Sequence, residues 1–222
     1  MLAQSKELVK KQLRITEKMN GKMTGFASLS TSPLFNENCM KRAKNPKTIC
    51  SKCYSMRMNK MYSALEAKLK DNSEILSNSI LSAEEFPVIN TETRIYKYFR
   101  LESFGDLINE THAINYFKFC ELNPETRFSL WTKNPIYIDK AIKNGYAKPE
   151  NLTVIFSSPY LNRTAKEIIF DMFPFIDKIF TVYTKEQAKV ENISINCGAK
   201  KCANCLLCYA KNNVKEINEL LK

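Results

Sequence analysis

Short runs in which apolar residues crowd or alternate, separated by longer stretches with an apolar residue every third or fourth position, divide this chain into strand and helix units. "MTGFASLS" at 23–30 predicts a first strand, followed by the loop "TSPLFNENCMKRAKNPKTICSKC". Over 54–81, Met58, Met61, Leu65 and Leu69 recur at three- and four-residue steps and predict one helix. "RIYKYFRL" at 94–101 is aromatic and β-branched, ends at "ESFGD", and leads into the helical "LINETHAINYFKFCEL". The unit then repeats. "RFSLWT" at 127–132 precedes "NPIYIDKAIKNGY", where Pro135 suits a first helical turn and Gly145 a stop. "LTVIFSS" precedes "TAKEIIFDMF", and "KIFTVY" precedes "TKEQAK".

Strands alternating with helices in this way imply right-handed βαβ units on a parallel sheet, an α/β fold that closes into a full or partial (βα) barrel. The expected organisation is a single domain over 1–222. It comprises an N-terminal helix at 1–22, the βα core at 23–185, and a cysteine-rich segment with a final helix at 186–222. Such folds carry their sites at the C-terminal strand ends. That rule selects Arg100, Glu102, Ser103 and Asp106 after one strand and Thr132 and Lys133 after the next, then Ser157, Ser158 and Tyr183. Taken singly each also reads as a surface or capping residue; Asp106, for instance, stands where it would cap a helix starting at Leu107.

Composition changes this picture in two ways. A hydrophobic content of 44% is ample for one core, and no stretch reaches the roughly 18 apolar residues of a membrane span, so the expectation is a cytoplasmic protein without a membrane partner. The formal charge of +11 suggests nucleic acid as a partner, since Lys and Arg neutralise phosphates. Thiolates omitted from that tally lower it: two iron–sulfur clusters, one with three and one with four cysteine ligands, would bring it to about +8.

The cysteines carry the chemistry. Of eight, Cys120 has apolar and aromatic neighbours and reads as a core thiol. The other seven form two groups, Cys39, Cys50 and Cys53, then Cys197, Cys202, Cys205 and Cys208. In reducing cytosol such groups are metal ligands rather than disulfides. "CGAKKCANCLLCYA" crowds four cysteines into twelve positions, a spacing closer to iron–sulfur runs than to the well-separated knuckles of zinc sites. The first group follows the first strand and leads into a helix whose N-terminus favours an anionic cluster. Three thiolates on a [4Fe-4S] cluster leave one iron open to a small molecule. Tyr54 and Tyr209, each directly after a C-x-x-C, are expected to shield the two centres from water. An alternative stays open: Cys50 and Cys53 could share one tetrahedral zinc with Cys205 and Cys208 if the first and last strands are neighbours. Lone His112 reads as a packing or surface residue.

The order of strand, three cysteines ending C-x-x-C-aromatic, helix, and a strand ending in "FGD" resembles the radical S-adenosylmethionine enzymes over roughly residues 23–185. That resemblance implies a radical-SAM-like partial barrel with S-adenosylmethionine at the open iron. On it, Arg100, Asp106 and Lys133 would orient the bound amino acid or substrate, with Ser103 and Ser158 on the same rim. The chain departs from that pattern in placing ten residues between Cys39 and Cys50, and in carrying Phe104 in place of one of the two glycines of the family's motif. "CSKCYS", the R-x-x-S-x-G-D of Arg100 to Asp106, and "TK" at Thr132–Lys133 resemble the phage-associated gene product eighty-eight family, which implies a phage or mobile-element origin and a host cytoplasm. Two functional classes follow: an iron–sulfur protein with redox or SAM-dependent radical chemistry, or a zinc- or cluster-stabilised module that binds nucleic acid or a host protein without turnover.

Overall fold

The computed structural model describes residues 11–198 and 201–221. Six strands form one sheet: β1 Ala27–Leu29, β2 Tyr98–Leu101, β3 Arg127–Thr132, β4 Leu152–Ser157, β5 Lys178–Tyr183 and β6 Glu216–Leu220. They lie in the order β1-β2-β3-β4-β5-β6, and every pair is parallel. Helices α1 Glu37–Ala43, α2 Tyr54–Met61 and α3 Ser63–Asn78 lie between β1 and β2. Next along the chain come α4 Glu110–Glu121, α5 Pro135–Lys143, α6 Lys166–Met172 and α7 Lys185–Val190, one after each strand from β2 to β5, and then a single turn, α8 Cys202–Cys205. Among the described residues no helix is long and apolar enough to cross a membrane.

The register decides what each face of the sheet does. Ser28 pairs with Arg100, Arg100 with Ser129, Trp131 with Ile155, Ser157 with Phe180, and Phe180 with Ile217. Because successive side chains point to opposite faces, all of these share one face. The alternate positions, Leu29, Phe99, Leu101, Phe128, Leu130, Val154, Phe156 and Ile179, share the other face and join the main core with Ala113, Tyr116, Phe117 and Ile138 of the helices. Cys120 sits in this core, fully buried. On the opposite face Ile155, Phe180 and Ile217 pack with Trp131, Val182, Cys197, Leu207 and Cys208, so the cysteine-rich segment lies against the sheet there.

Four sequence expectations are corrected. The part of the proposed 1–22 helix that falls on residues 1–10 lies outside the described residues. Beyond it, Arg14 gives its backbone N–H to Asn72 and takes Asn72 Nδ2 on its carbonyl, while Thr16 and Ser28 exchange backbone bonds antiparallel. Those partners replace the bonds a helix would make. The final helix is instead β6: its spacing of Val214, Ile217 and Leu221 suits a helix, but the free edge of β5 takes its backbone groups, and Ile217 is fully buried. The helix expected over 54–81 is two, broken where Tyr62 leaves the helical region at φ −121°. The long loop after β1 contains α1, capped by Asn36, whose side chain accepts the N–H groups of Asn38 and Cys39.

Replacing Ile217 with Ala should remove about 2–5 kcal/mol of stability, the usual cost of emptying a fully buried aliphatic site. Urea unfolding checks it; a loss under about 0.5 kcal/mol, the level of a surface substitution, would argue against a packed β6.

Candidate functional site

A cavity of about 500 Å³ opens on the face of the sheet turned away from the main core. Its walls include all seven cysteines of the two groups, together with Arg42, Arg100, Glu102, Ser103, Asp106, Trp131, Lys133 and Ser157.

The N-terminal cysteines come from α1 and from the turn before α2. Asn36 also donates to the Asp106 and Leu107 carbonyls, which ties the start of α1, and with it Cys39, to the loop after β2. The C-x-x-C is a tight turn in which Cys53 N donates to the Cys50 carbonyl, and Cys53 is the N-cap residue of α2. Ile49 N donates to the Pro159 carbonyl, so the loop after β4 holds this turn in place. In the C-terminal group, Cys197 N donates to the Asn218 carbonyl of β6. Cys202 and Cys205 stand at the two ends of α8, where Leu206 turns the chain at φ +51°.

These cysteines are free thiols. Burial, reinforced by the Asp106 carboxylate and opposed by Arg42, pushes Cys39 well above the ordinary thiol range. Burial pushes Cys208 up to about 12, with Arg100 opposing. Cys39 feels the charge of Cys50, whereas Cys208 feels those of Cys197, Cys202 and Cys205. Among the described residues β1 and β6 do not pair, so the strand adjacency invoked for a shared zinc is not present. No three described His, Cys, Asp or Glu side chains close on one point tightly enough to hold a single metal ion.

Asp106 neither caps α4 nor offers a free carboxylate. The helix begins at Glu110 and its cap is Asn109. Asp106 Oδ1 accepts from the Thr132 hydroxyl at 2.7 Å and from Leu107 N at 2.8 Å, Oδ2 accepts from the Arg42 guanidinium at 2.8 Å, and Lys133 N donates to both. At 3% exposed it is a strut joining α1, the loop after β2 and the end of β3. Arg42, three residues after Cys39 and therefore near it on one helix face, was not singled out in the sequence. It spans Asp106, Asn134 and, at 3.9 Å, Cys39 Sγ.

The neighbouring Glu102 is buried at the bend of the "ESFGD" loop, with φ +56°. Thr31 gives it a hydroxyl at 3.0 Å and a backbone N–H, and Tyr116 a hydroxyl at 2.6 Å. His112 Nδ1 accepts from Ile108 N, which leaves its proton on Nε2, 3.3 Å from Glu102 Oε1 but out of line for a hydrogen bond. Gly105 follows at φ +74°, where a Cβ would stand 2.5 Å from the Thr31 carbonyl oxygen. Only glycine fits there.

The remaining expected residues separate. Ser103 shares hydrogen bonds with Ser30 and Ser28 across β1 and β2. Lys133 Nζ donates to Ser157 Oγ at the strand ends. Ser158 does not line the cavity: its hydroxyl reaches the Tyr160 and Arg163 carbonyls and shapes the turn after β4, and Ser157 takes the wall position because strand alternation turns it inward. Tyr183 is buried away from the cavity. Tyr209 is 3% exposed, stacks with Phe26 and meets Tyr98 edge-on at the cavity floor, whereas Tyr54, which lines the cavity with Cys50 and Cys53, is 59% exposed and is not packed in this way. It pins the "ESFGD" loop instead, donating its hydroxyl to the Ser103 carbonyl. Arg100 stacks over Trp131 at 4.0 Å, a residue without a sequence signal beyond its strand position. Arg42 Nε, Arg100 Nε and Trp131 Nε1 are all buried donors without an acceptor, an arrangement that costs about 1–3 kcal/mol for each such group left unpaired.

Two predictions follow from the rim. Asp106→Ala should lower stability by about 3–5 kcal/mol, because it strands the Arg42 charge, and Arg42→Met combined with it should cost less than the two single changes added together. Urea unfolding of the four proteins checks this, and strict additivity would sink the strut. The second concerns pH. Burial raises the Glu102 carboxyl from 4.5 to about 8 and lowers His112 from 6.5 to about 3. Through 4.5–8 the folded chain keeps a Glu102 proton that the unfolded chain has released, so stability falls as pH rises. For His112 the unfolded chain binds the extra proton, so stability rises with pH up to 6.5. Between pH 6.5 and 8 only Glu102 of the two titrates. Thermal unfolding should therefore fall over that interval, and Glu102→Gln should flatten the fall; equal slopes would acquit Glu102.

No curated protein and no solved structure matches this chain. A family model does, that of Gene product 88, over residues 3–219. The "CSKCYS" turn, the Arg100-to-Asp106 loop and the Thr132–Lys133 pair, the motifs behind the family resemblance, thus meet on one cavity wall, and the chain belongs to the Gene product 88 family.

Proposed function

We propose that this chain is an iron–sulfur protein on a radical-SAM-like partial barrel. In this reading Cys39, Cys50 and Cys53 hold one [4Fe-4S] cluster with an iron open to a small molecule, and Cys197, Cys202, Cys205 and Cys208 hold a second. The observation that carries it is that seven cysteines from two distant segments line a single cavity, while Cys120 alone is consigned to the core. The strictly sequential parallel strand order supports the barrel reading.

The residues present fit such centres. A tetrahedral zinc needs its sulfurs roughly 3.8 Å apart, given about 2.3 Å Zn–S bonds, whereas a cluster spreads its thiolates over several irons. The two cysteine groups bring three and four thiols to one cavity, the numbers that clusters with and without an open iron take. Each group has an arginine whose charge favours its thiolates, Arg42 beside Cys39 and Arg100 beside Cys202 and Cys208. When bound, clusters of this kind supply one-electron transfer. The chain itself provides the Lys133 ammonium and the Ser157 and Ser103 hydroxyls near the strand ends, which suit the carboxylate and hydroxyl groups of S-adenosylmethionine or a similar small molecule. Asp106 orients that rim through Lys133 N and Arg42, without contacting the ligand.

Protein purified without air should contain iron and acid-labile sulfide in near-equal amounts. Cys53→Ser and Cys205→Ser should each lower both, and Cys120→Ser neither. Zinc without sulfide would overturn the reading, and so would metal loss in the Cys120 variant. Cleavage of S-adenosylmethionine under dithionite would establish turnover. Salt-sensitive nucleic-acid binding by a protein without iron would favour the binding-module alternative.

A further inference from the structure

Arg100 lies deeper than the rim. It is the penultimate residue of β2 and pairs in register with Ser129, four residues before Lys133, which at about 3.3 Å per residue is roughly 13 Å along β3 from the Lys133 backbone. A small molecule at those ends meets Lys133. What lies against the sheet at depth is the cysteine-rich segment, with Cys197, Leu207 and Cys208 packed beside Trp131 and Phe180.

At that depth the sheet presents donors without acceptors. Arg100 Nε and Trp131 Nε1 are shut off from water and unpaired, as are Tyr209 Oη and Ser129 Oγ. The last two are hydroxyls, each able to donate or accept, and they sit close enough to satisfy each other with a small rotation. Arg100 Nε and Trp131 Nε1 can only donate. Among the described residues Arg100 also has no carboxylate in ion-pair contact; its charge bears on Cys202 and Cys208. Two buried donor-only atoms side by side, one of them on a guanidinium without an ion-pair carboxylate among the described residues, call for an anionic acceptor.

We propose that Arg100, held flat on Trp131, is the positioning residue that neutralises the metal–sulfur centre of Cys197, Cys202, Cys205 and Cys208, with Arg100 Nε and Trp131 Nε1 as its hydrogen-bond donors. The inference rests on the iron–sulfur reading above and adds a consequence to it. Reduction by one electron from dithionite takes a four-thiolate [4Fe-4S] centre from a net charge of −2 to −3. A fixed cation and donors beside it stabilise the more negative state, so Arg100 raises the reduction potential of this centre.

The test uses the full chain carrying Cys50→Ala and Cys53→Ala, so that only the C-terminal centre gives a signal. Iron and sulfide are counted first, and the midpoint is then read by electron paramagnetic resonance during a redox titration. Arg100→Gln should make reduction at least tenfold less favourable, a fall of about 59 mV for one electron. Arg100→Lys should recover most of that, which a merely structural role would not explain, and Trp131→Phe should give a smaller fall in the same direction. An unchanged midpoint in Arg100→Gln with full iron overturns the inference and leaves the iron–sulfur reading standing. If Arg100→Gln holds no iron, Trp131→Phe decides, and an unchanged midpoint there overturns it. A parent protein without iron and sulfide overturns the C-terminal centre and this inference together.

Discussion

The structure depends on one constraint, the period-two alternation of side chains carried in register across six parallel strands. Because Ser28, Arg100, Ser129, Trp131, Ile155, Phe180 and Ile217 stand level or on alternate positions, they make one continuous surface. Their neighbours one residue away make the other surface, which is almost wholly apolar and packs on the helices. A one-residue slip of β2 would send Arg100 into that core and Phe99 into the cavity, and a slip of β3 would do the same with Trp131 and Leu130. The stability of the apolar face therefore enforces the geometry of the polar one.

The cavity rim is held by buried polar groups whose bonds are mutually dependent. Asp106 satisfies donors from three segments, and Glu102, one turn of the loop away, satisfies Thr31 and Tyr116. Gly105 lets the two acids approach through a loop that has no room for a side chain. Networks of this sort stabilise only when complete, since each removed partner leaves another group buried and unpaired. This is why the acid of the "FGD" sequence is a strut in this fold even though it lines a cavity wall.

The two cysteine groups reach the cavity by different means. The N-terminal one is set by turns pinned to the loops after β2 and β4. The C-terminal one is carried in by β6, whose pairing with β5 brings Cys197 to the sheet and seats Tyr209 on the floor. The echo of C-x-x-C-Y thus arises in two unlike settings, and its tyrosines do unlike things: Tyr209 seals the floor, and Tyr54, on the cavity wall, ties down a loop.

Local pattern was enough for the alternation of strand and helix from β2 to α7, since apolar periodicity and turn residues are properties of neighbouring positions. It marked "RFSLWT" as a strand to the residue, and the cysteines, the "ESFGD" loop and Lys133 that it singled out line one cavity. What local pattern could not decide were the ends and the partners. The last segment has helical spacing, yet becomes β6 because an unpaired strand edge offers its backbone more than a lone helix would. Residues 11–20 are not a helix because Asn72 and Ser28, distant in sequence, take the backbone bonds of Arg14 and Thr16. Arg42, Trp131 and Thr31 acquired their places only through long-range contacts with Asp106, Arg100 and Glu102, and Asp106 exchanged a capping role for a strut for the same reason. Sequence determines which groups can donate, accept or ligate; tertiary structure alone decides which of them face one another, because that depends on register and on which backbone edges are left to be paired.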